Sequence, residues 1–183
     1  MTSATSTELL ELIDRADERG LAAAGLACLD RCLPLLAPEG AEVLRGVWAA
    51  VARGEDGAWV EAVGKARGEL DGVGTGTGEL AVLVRGMLDG VPAAWAQAPL
   101  RAWAARCSEA ALAVHGLYDA TEAGPLRAGE LLRQRAVLES AAHGPTGLRR
   151  ARDLSTEGGR SRGGGGDESE RRAGAGGEGA VPA

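Results

Sequence analysis

Residues 21–36, LAAAGLACLDRCLPLL, restrict the fold more than any other part of the chain. Wound as a helix, they set Leu26, Leu29, Leu33 and Leu36 on one flank, with Leu21, Gly25, Cys28, Cys32 and Leu35 beside them. About half the circumference is then apolar. Only Asp30 and Arg31 are charged, and the rest of the polar side is small. A helix of this kind belongs inside a bundle, wrapped by other helices. The run Ala22, Ala23, Ala24, Gly25 lets a neighbour come close at its first turns.

What wraps it must also be helical. Phe is absent and Ile13 is the single isoleucine, so the core is built from Leu, Val, Ala and four tryptophans. The β-branched and aromatic residues that strands favour are thin, whereas Ala, Leu, Arg and Glu dominate. The expected fold is all-α, a single globular bundle of six to seven helices spanning residues 7–143. Residues 144–183 read as a disordered Gly/Arg/Glu-rich tail, because stretches such as GGRSRGGGGDESERRAGAGGEGAVPA offer too little apolar surface to offset ordering entropy. About 140 folding residues is the size of one ordinary domain.

Charge narrows the partners. Residues 1–143 carry a net −7 and residues 144–183 a net +1, giving the chain its −6. An acidic folded part lacks the basic footprint of a phosphate-backbone binder, so no nucleic-acid partner is expected. No apolar run is long enough to span a membrane, and MTSATSTELLELID does not read as a signal peptide. Three cysteines without an export signal point to reduced thiols and a cytoplasmic location.

Helical periodicity lays out the elements. Thr7 is the expected N-cap of a first helix that Gly20 ends, and the short step onward favours an antiparallel pair with the organising helix. Pro34 predicts an irregular last turn there. Further helices are expected over 38–53, 56–70 and 79–89, with a Gly-rich connector at 71–79. The longest runs over 99–123, with Leu100, Trp103, Ala104, Cys107, Ala111, Val114 and Tyr118 as its buried stripe. Gly124-Pro125 ends it, and a last helix covers 126–142.

Few residues suggest chemistry. Cys28 and Cys32 lie one helical turn apart, as two metal ligands or a redox pair would, yet no second such pair supplies the usual four ligands. Buried free cysteines act as small apolar groups, so no metal and no cofactor are expected. Cys107 and His115 form no dyad on a straight helix, since eight residues rise about 12 Å. Glu11, Asp14 and Glu18 read as a solvated face laced by pairs such as Glu11–Arg15. The glycines of 74–78 are followed by Glu79 where a phosphate loop needs Lys-Ser/Thr, so they read as linker. Arg160 and Arg162 resemble RGG-type segments, diluted by Asp167, Glu168 and Glu170. Trp95, between Pro92 and Pro99, is expected partly exposed, and a pocket would sit near Trp95, Trp103, Cys107 and His115.

The segments ELIDRADERGLAAAGLACLDRC and LRAWAARC are similar, in style and composition, to the small uncharacterised helical proteins common in high-GC actinobacteria. That likeness implies no activity or site. Ala22, Leu26, Leu29 and Pro34 also resemble the second half of a tetratricopeptide unit, but Leu10 stands where its first half needs a small residue. The expected function is a non-catalytic, cytoplasmic protein-interaction module, with a protein partner or self-association. The alternative is a small-molecule-binding bundle using the Trp95, Trp103, Cys107 and His115 pocket.

Overall fold

The computed structural model describes residues 2–121 and 124–160. They form eight α-helices: α1 (Thr2–Arg15), α2 (Glu18–Cys32), α3 (Gly40–Arg53), α4 (Asp56–Glu69), α5 (Glu79–Asp89), α6 (Gln97–Gly116), α7 (Pro125–Ala141) and α8 (Gly144–Arg160). A 3-10 turn, Leu33–Leu35, follows α2 where Pro34 interrupts regular bonding. No strand occurs among the described residues, and the fold is all-α and globular.

Helix α2 is the axis of the bundle. Twelve of its fifteen residues are buried, and α3, α5, α6, α7 and α8 all pack on it. Its tightest neighbour is α6. A Cβ on Gly25 would lie 2.6 Å from the Trp103 ring, so glycine lets the indole come this close to α2. The core spans the bundle from Leu9 and Ile13 of α1 to Leu148 and Ala151 of α8.

The first helix departs from the expected layout. It begins at Thr2, so Thr7 lies inside it rather than capping it. It stops at Arg15, before Gly20, because Asp17 is extended and its carboxylate accepts from the Gly20 N–H, capping α2. Nor does α1 pair mainly with α2. It lies on α7 and α6, where Glu8 meets Arg135 at 2.6 Å and Asp14 meets Arg101 at 3.9 Å.

Helix α6 also ends early, at Gly116, leaving Tyr118 52 % exposed instead of in the buried stripe. Asp119 is drawn away to cap α7, accepting from the Leu126 and Arg127 N–H groups at 3.0 and 2.8 Å. The connector over 71–79 makes turns, with Gly72 and Gly74 at φ 84° and 70°, and Arg85 donates to the Val73 carbonyl at 2.6 Å.

The largest correction concerns the boundary at residue 143. The chain does not leave the bundle there, and the helix count rises to eight because Gly144–Arg160 folds as α8 against α2 and α7. Gly144 takes φ 71°, and Pro145 then occupies the first turn, where its missing N–H costs nothing. Gly-Pro therefore starts a helix here, as Pro125 does for α7. A Cβ on Gly147 would collide with the Ser140 carbonyl, which makes this tight turn possible only with glycine. The expected disordered tail over 161–183 lies outside the described residues.

Candidate functional site

Asp30 and Arg31 are the charges that the apolar segment 21–36 carries. A rod wrapped all round must bury them, and it does. The Arg31 side chain is 4 % exposed and Glu130 of α7 is wholly buried. Arg31 grips the carboxylate with two donors, Nε to Oε2 at 2.9 Å and Nη2 to Oε1 at 2.5 Å, the forked geometry that suits guanidinium to carboxylate. Gln134 Nε2, one turn along α7, donates to Oε1 at 2.9 Å. Gln134 in turn accepts from Ser108 Oγ of α6 at 2.6 Å. Arg133 Nε reaches Oε2 at 3.4 Å. Three helices are thus stitched by one polar chain through an apolar core.

His115 closes the cluster from α6. Its Nδ1 lies 2.8 Å from the Ala111 carbonyl, which can only accept, so Nδ1 carries the proton. Its Nε2 sits 3.7 Å from Glu130 Oε2 and forms an ion pair there only as imidazolium.

Burial alone would push the Glu130 carboxyl up, but the Arg31 guanidinium outweighs it, and the group titrates below its usual range. Burial likewise works against the Arg31 charge, and Glu130 more than restores it. The Arg31 Nη1 atom is buried without a hydrogen-bond partner.

Cys28 and Cys32 adjoin this cluster, Cys107 lies beside those two thiols, and all three are buried and free. Burial pushes Cys32 up to about 12 and raises Cys28 and Cys107 well above the ordinary thiol range, with Glu130 adding to the rise at Cys28 and Cys32. Thiols so protonated and sealed are poor nucleophiles and poor ligands. Among the described residues no three His, Cys, Asp or Glu side chains converge to hold a metal ion.

A second buried carboxylate sits one residue away. Asp30 Oδ2 accepts from Trp48 Nε1 of α3 at 3.2 Å and from Ser155 Oγ of α8 at 2.8 Å. Burial dominates here and raises its pKa, opposed by Ser155 and Trp48.

Of the four residues of the expected pocket, Trp103 and Cys107 lie one turn apart on α6 with their side chains in contact. Trp103 and half-buried Trp95 flank Trp59 edge-on, at centroid distances of 6.1 and 5.3 Å. Cys107 lies further along α6 beside the thiols, and His115 further still, at Glu130. The cavity that Trp103 lines, with Leu26, Leu29 and Val63, holds about 10 Å³ and includes none of the other three. That is room for at most about one water. Sequence reasoning missed Arg31, Glu130, Gln134 and Ser108 as a unit. The signal was there in part: charges on an interior helix require buried partners.

Fold and site together define a class, an all-helical bundle with an interior ion-pair network. No protein-family model, curated protein or solved structure matches the chain.

Proposed function

We propose that the protein is a non-catalytic, cytoplasmic interaction module that recognises another protein, or a second copy of itself, through its helical surface. The observation that carries this reading is the engagement of Glu130 within the bundle: both its oxygens accept from Arg31, and one also from Gln134. The chemically versatile groups hold helices together, which leaves recognition to the exterior. There, Leu10 of α1 and Leu132 of α7 are 55 % and 62 % exposed, on two helices that pack against each other. The negative balance of residues 1–143 favours a partner with basic or neutral flanks around an apolar centre.

Affinity capture from native extract, paired with light-scattering mass over a concentration series, tests this. A concentration-dependent dimer or a stoichiometric protein partner, lost in the Leu10→Ser/Leu132→Ser chain, is the expected result. A saturable shift of tryptophan emission with a metabolite, at constant monomeric mass, refutes it.

A further inference from the structure

We propose that Ser155 is a phosphorylation site for an arginine-directed serine/threonine protein kinase, reached when α8 opens locally, and that the modification then holds α8 off the bundle. Ser155 is 2 % exposed, and its single hydroxyl proton lies between Asp30 Oδ2 at 2.8 Å and the Arg152 carbonyl at 2.6 Å. Asp30 is itself buried and fixed by Trp48. A phosphoryl group on Ser155 would bring nearly two negative charges against that carboxylate, in a space already filled. The docked and phosphorylated states of α8 therefore exclude each other.

Helix α8 is suited to leave. Its buried apolar contacts are Leu148 and Ala151, with Leu154 partly buried, a narrow stripe to hold seventeen residues. Along its seam with α7 a groove of about 460 Å³ stays unfilled, lined by Glu139, His143, Arg150 and Leu154 among others.

The sequence around Ser155 supplies the recognition. Arg152, Arg150 and Arg149 stand three, five and six residues before the serine. Guanidinium groups at these offsets in an extended segment are read bidentately by carboxylates in the substrate groove of such kinases. Thr156, the neighbouring hydroxyl, donates to the Asp153 carbonyl instead. In the transfer, the bond from Ser155 Oγ to the γ-phosphorus of ATP forms as the bridging bond to ADP breaks, and the hydroxyl proton passes to the kinase's catalytic carboxylate.

The test uses the full chain with ATP and an arginine-directed kinase, read by mass mapping and by amide hydrogen exchange. Phosphate is expected on Ser155, with α8 amides exchanging at least about a hundredfold faster, the scale of one weakly screened like-charge contact. Protection in α2, α3 and α7 stays. Ser155→Glu gives the same α8 opening without a kinase, and adding Asp30→Asn to it cuts the acceleration to about tenfold or less, since the charge it opposes is gone. Phosphate on Thr156 alone or on neither residue overturns the proposal. So does α8 exchange in Ser155→Glu as slow as in the unsubstituted chain, or a rise spread equally over all helices.

Discussion

Replacing Glu130 by Gln isolates the polar stitch at the centre of the bundle. The carboxylate takes two donors from Arg31 and one from Gln134, and it is wholly buried. An amide keeps one acceptor oxygen and turns an NH2 group toward a guanidinium whose Nη1 already lacks a partner. Arg31 is left as an uncompensated charge in apolar surroundings, and breaking a buried pair in this way costs about 3–5 kcal/mol. Arg31→Met alone strands the carboxylate and costs a similar amount, whereas Arg31→Met/Glu130→Leu removes both charges and falls within about 2 kcal/mol of the starting stability. With the Glu130→Leu single added, urea unfolding followed by tryptophan fluorescence closes the cycle, with an expected coupling of at least about 3 kcal/mol. The same pair sets a pH dependence. Because Glu130 titrates lower in the folded than in the unfolded chain, its contribution is complete above the ordinary carboxylate range and fades as pH falls through the lowered folded value. The Gln chain lacks this acid loss. A Glu130→Gln cost below about 1 kcal/mol, or a double substitution as damaging as the sum of the singles, refutes the reasoning.

Asp30→Asn should behave in the opposite sense. Burial raises the Asp30 pKa in the fold, so its charged form costs stability at neutral pH, and that cost is relieved as pH falls through the raised value. Since Asn keeps an oxygen for Trp48 and Ser155, its chain should match or exceed the parent at pH 7 by up to about 1 kcal/mol, with the gap closing in acid; a loss above about 2 kcal/mol contradicts this. Gly25→Ala drives a methyl into the Trp103 ring, 2.6 Å away, and should cost about 1–3 kcal/mol with a shifted tryptophan emission. An unchanged melting curve would mean that α2 and α6 separate easily. An aromatic disulfide reagent should label none of Cys28, Cys32 and Cys107 in the native chain and all three in denaturant. Fast labelling of one thiol would show that the α2–α6 seam opens.

Much of the fold was legible before any coordinates. Residues 21–36 were recognisable as the interior rod from their apolar arc alone, and α3, α4 and α5 fall close to where their stripes and glycines put them. Misreadings concentrate at helix ends. Gly20 looked like a stop, but Asp17 capped first, and residues from 144 on read as tail although Pro145 sits in the first turn of a helix there. Helix α8 was hidden because three apolar residues spaced over 148–154 carry little signal by themselves. Their value depends on the groove that α2 and α7 present.

Composition and period settled that the chain is helical and that its second helix is central, because apolar spacing is a local property of the sequence. Which helices meet Arg31 and Asp30 was decided by the tertiary arrangement alone. Glu130 lies 99 residues from Arg31 and Ser155 lies 125 from Asp30. Separations of that kind leave no trace in a local pattern. A buried charge announces that it needs a partner, and only the packing of the remaining helices selects which one.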